Sequence, residues 1–279
     1  MNQLYKQLGI SRQAHHQQIK SARNGKLMEQ TLAREVMHLR MDHPKMGLRK
    51  IYDLLNPSGI GRDKFERMMV SSGLRIRRIR NYRRTTRSRS RYALPNLIKG
   101  KKLTAVNQVW VSDITYIRIQ DRFHYLSFIT DVYSRKIVGY SVSKNLLAEA
   151  NISSLQMALK DRSGVELKGL IHHSDRGSQY IDSQYRKLLK AQGIVSSMGN
   201  KAWENAHAER LNGIIKNEYI IPAHPQNYQQ LKKVVRMSVA KYNKQRPHGA
   251  LPHRMTPVEF EEGIRQMSSK KEYHVYINY

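Results

Sequence analysis

The chain has 279 residues, of which 50 are lysine or arginine and 21 are acidic, and its formal net charge of +29 indicates a polyanionic partner such as nucleic acid. It contains no cysteine, which excludes disulfide bonds, thiol catalysis and thiolate zinc sites. No apolar run reaches the roughly 20 residues that cross a bilayer, and no apolar signal-peptide core opens the chain, so we expect a soluble intracellular protein.

The N-terminal region, residues 1–74, contains four predicted helical stretches. Ser11 is placed to cap a helix that runs to about residue 20, and residues 28–40 have apolar side chains at helical spacing. Residues 48–55 and 62–72 are two further predicted helices, separated by turns that contain glycine. Short basic helices joined in this way indicate a helix-turn-helix-like DNA-binding region. A small helical bundle with a solvated basic face is the alternative.

An arginine-rich segment, residues 75–91, follows and contains nine arginines and no acid. Such a segment cannot form a packed core, and charge repulsion keeps it extended until phosphates neutralise it. We therefore predict that residues 75–104 form a linker whose arginines lie along a DNA backbone. A purely solvated linker is the alternative. The predicted DNA-binding arginines are Arg75, Arg77, Arg78, Arg80, Arg83, Arg84, Arg87, Arg89 and Arg91.

The remainder of the chain predicts an α/β fold with a mixed sheet. Residues 108–117, 123–130 and 136–143 are rich in β-branched and aromatic residues and are joined by short links, which favours an antiparallel meander. A predicted helix over residues 148–160 and a fourth strand over residues 170–173 follow. This order predicts a sheet with helices packed on its faces.

Three carboxylates stand where strands or helices could bring them together. Asp113 interrupts an apolar strand, where an acid is costly unless it is paired or bound to a metal ion. Asp175 ends the fourth strand, and Glu209 lies in a stretch, beginning near Trp203, that is typical of a second helix. Their oxygens suit Mg²⁺ or Mn²⁺. Two such ions can stabilise the attacking and leaving oxygens of phosphoryl transfer.

The second predicted helix also carries a polar row. Asn205, Glu209, Asn212 and Lys216 share one face at helical spacing. We predict that Asn205, Asn212 and Lys216 hold DNA beside the metal ions. The alternative is that the row is the solvent-exposed side of an amphipathic helix.

Several ordered motifs in this part of the chain resemble one known family. They are Asp113-Ile-Thr-Tyr, Asp131-Val-Tyr-Ser-Arg135, His173-Ser-Asp-Arg-Gly-Ser-Gln-Tyr180, Glu204-Asn-Ala-His-Ala-Glu209, Tyr242-Asn-Lys-Gln-Arg-Pro-His248 and Thr256-Pro-Val-Glu-Phe260. Together they resemble the DDE transposases of the retroviral-integrase superfamily, in particular the OrfB-type transposases of the insertion-sequence-three group. The resemblance covers residues 108–260 firmly and the basic N-terminal region more loosely.

The resemblance implies an RNase H-like catalytic core over residues 105–265, with a five-stranded mixed sheet and helices on both faces, and a C-terminal tail over residues 266–279. It implies that Asp113, Asp175 and Glu209 bind two Mg²⁺ or Mn²⁺ ions. In such a site water cleaves a strand at the element's end, and the freed 3′-hydroxyl attacks target DNA.

The resemblance also implies the partners and the location of the protein. The partners would be double-stranded DNA, both as terminal repeats and as target, and further protomers, since paired ends are held by at least a homodimer. The location would be the bacterial cytoplasm, with no membrane partner.

Two departures from the family's pattern concern the third ligand. The interval of 34 positions between Asp175 and Glu209 is slightly shorter than the family's usual one, and we assign the difference to a trimmed loop over residues 197–200. Glu204 stands where the group has aspartate. Glu204 is therefore a competitor of Glu209 as third ligand.

Two further residues are predicted to support the ligands without binding metal. Asp131 should make hydrogen bonds within its turn, to Ser134 or Arg135, and His173 should lie behind the ligands. Two other functions stay open: a sequence-specific DNA-binding regulator with an inactive integrase-like domain, and a metal-dependent nuclease without strand transfer. The intact acids argue against the regulator.

Overall fold

The computed structural model describes residues 9–76, 94–266 and 273–278. The chain divides into two compact units, Met1–Ile79 and Arg80–Tyr279. This division falls inside the predicted linker. Residues 77–93, which include most of the arginine-rich segment, lie outside the described residues, so the predicted extended conformation of that segment stays a prediction.

The N-terminal unit contains three helices in its described part: α1 (Arg12–Asp42), α2 (Leu48–Leu55) and α3 (Arg62–Ser71). Ser11 caps α1 as predicted, because its hydroxyl accepts a hydrogen bond from the backbone N–H of Ala14 at 3.0 Å. The helices share one small core, formed by Leu32, Val36, Met46, Leu48, Ile51, Ile60, Phe65 and Met69. The predicted helices over residues 48–55 and 62–72 are confirmed to within one residue.

Helix α1 differs from its prediction because it is a single helix of 31 residues. The sequence predicts an interruption between residues 20 and 28, where Gly25 lies. A single glycine inside a helix costs only about 1 kcal/mol relative to alanine, which is too little to end a helix with good helix formers on both sides. The first half of α1 therefore extends beyond the core that Leu32 and Val36 enter.

The second unit is built on a mixed sheet. Its described strands are β1 (Lys102–Leu103), β2 (Val109–Ile119), β3 (Arg122–Asp131), β4 (Ile137–Ser143), β5 (Ile171–Ser174), β6 (Val195–Met198) and β7 (Val275–Tyr276). The main sheet has five strands in the order β4-β3-β2-β5-β6. Strands β2, β3 and β4 form the predicted antiparallel meander, and β5 and β6 run parallel to β2. The predicted α/β fold with a five-stranded mixed sheet is confirmed.

Helices cover both faces of this sheet. They are α4 (Ala148–Asp161), α5 (Ser183–Ala191), α6 (Ala206–Ile214), α7 (Ile221–Ala223), α8 (Tyr228–Lys244) and α9 (Pro257–Gln266), with 3₁₀ turns at Ser178–Tyr180, Ala202–Asn205 and Pro252–Arg254 and a π-helix at Ile215–Ile220. Successive strand residues point to opposite faces. Accordingly Ile129 packs with Leu155 of α4, whereas Phe128 packs with Leu211 of α6 and Val235 of α8. Within the described ranges, no helix is both long and apolar enough to cross a membrane.

Two segments of the second unit that are far apart in sequence pair in a small sheet that the sequence did not predict. Strands β1 and β7 pair antiparallel, with Leu103 opposite Val275. Both side chains are buried, together with those of Ile98 and Ile277. The predictions of a linker up to residue 104 and of a C-terminal tail are therefore wrong for these segments, because their apolar side chains complete the core of the unit.

Candidate active site

The sheet brings Asp113 and Asp175 side by side. Strands β2 and β5 are adjacent and parallel, and their last paired residues are Ser112 and Ser174. The next residue along each strand is one of the two aspartates. Because parallel neighbours present corresponding residues at the same level of a sheet, the two acids lie next to each other. This placement is the one that the sequence predicts.

Asp113 has a strongly perturbed carboxyl group. Burial, the charge of Asp175 and the charge of Glu209 raise its pKa to about 7. The side-chain amide of Asn212 donates a hydrogen bond to Asp113 Oδ2 at 2.8 Å, which acts in the opposite direction. With this pKa the carboxyl group of Asp113 is partly protonated at neutral pH, and a nearby cation would favour its charged form.

The turn after β5 determines the environment of the Asp175 carboxyl group. The residue as a whole is exposed, yet protein atoms surround its carboxyl group, and this shielding from water raises its pKa. The backbone N–H of Gly177 donates a hydrogen bond to Asp175 Oδ1 at 3.1 Å, which lowers the pKa by a smaller amount. A Cβ atom at position 177 would itself lie 3.1 Å from Asp175 Oδ1, so glycine allows the turn to close around the carboxylate.

Glu209 approaches the two aspartates from the first turn of α6. Burial raises its pKa, and the charge of Asp175 raises it further. Because Glu209 in turn raises the pKa of Asp113, the three acids share one electrostatic neighbourhood. Across residues 9–76, 94–266 and 273–278, no three His, Asp or Glu side chains are yet close enough together to hold a metal ion.

Glu204, the competing acid, has a different environment. Its carboxylate accepts hydrogen bonds from the backbone N–H groups of Asn200 and Lys201 and so caps the 3₁₀ turn Ala202–Asn205. Burial acts to raise its pKa, but these hydrogen bonds outweigh burial and the pKa is lowered. The carboxylate of Glu204 is thus engaged in holding the chain just before α6.

The loop assigned to residues 197–200 is shorter than the sequence predicts. Ser197 and Met198 belong to β6, where they pair with His173 and Ser174 of β5. That part of the prediction is wrong because pairing with a parallel neighbour extends the strand.

The polar row of the second predicted helix faces β2. The amide of Asn205 donates a hydrogen bond to the backbone oxygen of Ser112 at 2.9 Å, and Asn212 bonds to Asp113. The two asparagines are only 3% and 6% exposed. Their prediction as DNA contacts is therefore corrected, since the buried amides hold β2. The Nζ atom of Lys216 lies 4.8 Å from the centre of the Tyr116 ring, and its DNA contact stays a prediction.

The helix that carries this row is not a regular α-helix. After Ile214 it continues as the π-helix Ile215–Ile220, where the sequence predicts α-helical spacing throughout. Such segments are rare and often occur at functional sites. Ile215 and Tyr219 of this segment are buried in the core between the sheet and α8, while Lys216 lies against β2.

The two predicted supporting residues hold backbone segments. Asp131 Oδ1 accepts hydrogen bonds from the backbone N–H groups of Tyr133 and Ser134, both at 2.9 Å, as predicted for Ser134. His173 contacts the Ser197 hydroxyl at 2.8 Å and the backbone oxygen of Glu204 at 3.1 Å. Burial lowers the pKa of His173 to about 4, so the ring is neutral. His173 therefore connects β5 to β6 and to the segment before α6.

Comparison with known proteins places this chain in a family. Two integrase core domain models match residues 104–202 and 193–257. The transposase for insertion sequence element IS629 of Shigella sonnei is 31% identical over 260 residues, which cover 90% of this chain and 84% of that protein. The IS600 uncharacterized 31 kDa protein of Shigella sonnei is 36% identical over 242 residues, which cover 84% of this chain and 88% of that protein. The chain belongs to the insertion-sequence transposases of the DDE/integrase superfamily.

Two further comparisons agree with this membership. The putative transposase for element IS986/IS6110 of Mycobacterium tuberculosis strain H37Rv is 35% identical over 188 residues, covering 64% of this chain and 68% of that protein. The simian T-cell lymphotropic virus intasome, solved in complex with PP2A regulatory subunit B56 gamma, matches with a TM-score of 0.53 at 14% identity. It covers 86% of this chain and 77% of that chain, and shows that the fold is integrase-like. The chain is thus a DDE transposase, a polynucleotidyl transferase.

Tyr180 supports the site of the transposase and was not among the residues predicted from the sequence. The hydroxyl of Tyr180 lies 3.0 Å from Ser112 Oγ, directly before Asp113, and its ring is buried. Burial raises the pKa of Tyr180 well above its usual value, and the charge of Asp175 raises it further, so the phenol stays neutral. The sequence did contain a signal, because Tyr180 ends the same motif that contains Asp175.

The arginine-rich segment of the transposase is almost entirely outside the described residues. Of the predicted DNA-binding arginines Arg75 alone is described, and it is exposed. Arg77, Arg78, Arg80, Arg83, Arg84, Arg87, Arg89 and Arg91 lie outside the described residues.

Proposed function

We propose that this transposase binds the ends of its insertion element, cleaves one strand there with water, and transfers the freed 3′-hydroxyl to target DNA. The observation that carries the proposal is the convergence of Asp113, Asp175 and Glu209 from two neighbouring strands and a helix. Membership of the insertion-sequence transposases supports DNA as the substrate.

The residues present fit a divalent metal ion. The charges of Asp175 and Glu209 raise the pKa of Asp113, and the charge of Asp175 raises that of Glu209, so a cation among the three carboxylates would relieve this repulsion. Oxygen donors of this kind suit Mg²⁺ or Mn²⁺, and metal dependence is a property of the integrase core family. We propose Asp113, Asp175 and Glu209 as the ligands of two such ions. When bound, the ions would activate the attacking oxygen and stabilise the leaving oxygen.

The protein's own groups have defined tasks in this proposal. Asn212 fixes the carboxylate of Asp113 through its hydrogen bond, and the backbone N–H of Gly177 orients that of Asp175. Glu209 is exposed and lies on a helix, so its side chain can turn towards the aspartates to complete the ligand set. Asp113 must lose its proton to act as a ligand, which metal binding favours.

Two partners complete the proposal. The arginines of residues 75–91 would neutralise DNA phosphates, and at least two protomers would hold the paired ends of the element. Strong dependence of DNA affinity on salt is expected from many phosphate contacts. An affinity that stays constant between 50 and 200 mM salt would contradict this electrostatic account.

A strand-transfer assay tests the proposed function directly. The full chain would be incubated with labelled duplexes that end in candidate terminal repeats and with a target plasmid, with and without Mg²⁺. We expect joined products only in the reactions that contain Mg²⁺. Cleavage without joining would indicate a nuclease, and tight DNA binding with neither reaction would indicate a regulator.

A further inference from the structure

The outer face of α1 has an unusual composition. The side chains that enter the core of the N-terminal unit, Leu32 and Val36, define the inner face of this helix. At about 100° per residue, the opposite face contains one continuous series of basic residues within an arc of about 120°. They are Arg12, His16, Lys20, Arg23, Lys26 and Arg34, and all six are exposed.

The charge on this outer face is not compensated. The acidic residues of α1, namely Glu29, Glu35 and Asp42, lie about 100° or more away from its centre. Within the part of the chain that the structure describes, no ion pair joins the six basic residues to an acid. From Arg12 to Arg34 the series runs for about 33 Å at 1.5 Å per residue. The result is a row of five lysine and arginine charges along one side of α1, with His16 among them.

Helix α3 provides a contrast within the same unit. In a helix-turn-helix this last helix would enter the DNA major groove. Here Arg62 pairs with the neighbouring Asp63 at 3.0 Å, and Glu66 of the same helix pairs with Arg49 at 3.1 Å. Acids that pair with cations weaken attraction to phosphates. The stronger electrostatic surface of this unit is therefore α1.

Four exposed apolar residues also lie on the outer face, two of them among the basic residues and two beyond Arg34. Ile19, Leu27, Met37 and Met41 are 52%, 61%, 52% and 75% exposed. A helix that lies in a membrane surface needs a continuous apolar stripe opposite its charges, whereas these side chains lie on the same side of α1 as the basic residues. A second copy of the same face would bring cation against cation, which opposes association.

We infer that the outer face of α1 is a binding surface for duplex DNA, along which Arg12, Lys20, Arg23, Lys26 and Arg34 contact phosphates. Charge complementarity selects the polyanion, and the exposed apolar side chains of the same face can contact thymine methyl groups. The inference rests on the proposed function in one respect, since it takes DNA as the substrate. It assigns the contact to α1, where a helix-turn-helix would assign it to α3.

The test compares two triple variants of the full chain by fluorescence anisotropy on a labelled 30-base-pair duplex. The α1 variant loses three charges through Lys20→Gln, Arg23→Gln and Lys26→Gln. The α3 variant loses the same number through Arg62→Gln, Lys64→Gln and Arg67→Gln. We expect the α1 variant to bind about tenfold more weakly or worse, and its salt slope to be smaller by about 2 to 3. The α3 variant should stay within about threefold of the parent.

Several results would overturn the inference. They are unchanged affinity of the α1 variant, an equal loss in the two variants, or a larger loss in the α3 variant. Loss of binding to anionic phospholipid vesicles, with duplex binding intact, would assign the face to lipid instead. A control variant with Lys20→Arg and Lys26→Arg keeps the positive charges and should bind DNA like the parent. Circular dichroism should show equal helicity in all variants, so that a loss of affinity is not a result of misfolding.

The outcome is separable from that of the proposed function. If the parent chain transfers strands but the α1 variant keeps full DNA affinity, this inference alone fails. If the α1 variant loses affinity but the parent neither cleaves nor joins strands with Mg²⁺, the proposed function alone fails.

Discussion

The carboxylate site and the outer face of α1 are built in opposite ways. The site collects three acids that are far apart in sequence, and packed strands and a helix position each of them. The face repeats basic residues along one exposed helix. Chemistry at a phosphodiester needs oxygens at fixed positions, whereas attraction to phosphates needs only charge on one side of an element. Substitutions should therefore change rate and stability in the first region, and affinity and salt dependence in the second.

The largest effect is expected from the three acids. Asp113→Asn, Asp175→Asn and Glu209→Gln should each lower the cleavage rate by about 100- to 1000-fold or more, because each removes a charge that the transition state needs. Affinity for the DNA ends should stay within about threefold. Single-turnover cleavage and anisotropy measure the two quantities. Glu204→Gln is the matched control. A variant of the three acids that lost DNA affinity together with cleavage rate would contradict the separation between cleavage at the carboxylates and DNA binding at α1.

The same site should make the free protein less stable at neutral pH. Folding raises the pKa of Asp113 from 3.8 to about 7, so the folded state favours the protonated acid. This stability is complete below about pH 4 and is lost as the pH rises through 7. Asp113→Asn should remove the contribution of Asp113 to this pH dependence and stabilise the metal-free chain at pH 8 by up to about 4 kcal/mol. Denaturant unfolding between pH 4 and pH 8 measures the free energy of unfolding of the parent and of Asp113→Asn. Equal pH profiles of the two proteins would refute this prediction.

Two glycines extend the comparison to packing. A Cβ atom at Gly139 of β4 would lie 2.1 Å from the backbone oxygen of Ser154 in α4, so Gly139→Ala should cost about 2–3 kcal/mol. A Cβ atom at Gly25 of α1 would meet nothing within 4 Å. Gly25→Ala should therefore stabilise the chain by about 0.5–1 kcal/mol. Thermal unfolding should show a lower unfolding temperature for Gly139→Ala and a higher one for Gly25→Ala. An unchanged unfolding temperature of Gly139→Ala would show that α4 can move.

A smaller loss of stability than that of Gly139→Ala is expected when the amide that holds β2 in place is removed. Asn205→Ala removes the hydrogen bond to the backbone oxygen of Ser112 and leaves that oxygen buried, which should cost about 1–2 kcal/mol. Asn217→Ala changes an exposed asparagine of the neighbouring π-helix and is the control. If Asn205 instead contacted DNA, its substitution would weaken binding and leave the unfolding temperature unchanged.

Local patterns in the sequence predicted the strands and the first two acids well. Alternating β-branched residues located β2, β3 and β4, and short links predicted their antiparallel order. A strand that ends in an acid, next to another strand that contains one, was enough to place Asp113 beside Asp175. These features depend on neighbouring residues, which is why sequence reasoning could reach them.

The features that sequence reasoning missed depend on distant contacts. The pairing of β1 with β7 joins residues at opposite ends of the second unit, and neither strand has a local signal. Helical spacing showed that Asn205 and Asn212 share a face, but it could not show that the face meets β2, because buried and solvated polar residues look alike in sequence. Likewise the capping hydrogen bonds of Glu204 exist only in the folded chain. These hydrogen bonds distinguish Glu204 from Glu209 as a candidate ligand.

Metal affinity tests the central claim most directly. The Mn²⁺ dissociation constant, measured by electron paramagnetic resonance on the full chain, would be compared among the parent, Asp113→Asn, Asp175→Asn, Glu209→Gln and Glu204→Gln. Our account predicts that the first three variants weaken binding by about tenfold or more and that Glu204→Gln leaves it unchanged. Retained affinity in Glu209→Gln together with lost affinity in Glu204→Gln would contradict the account.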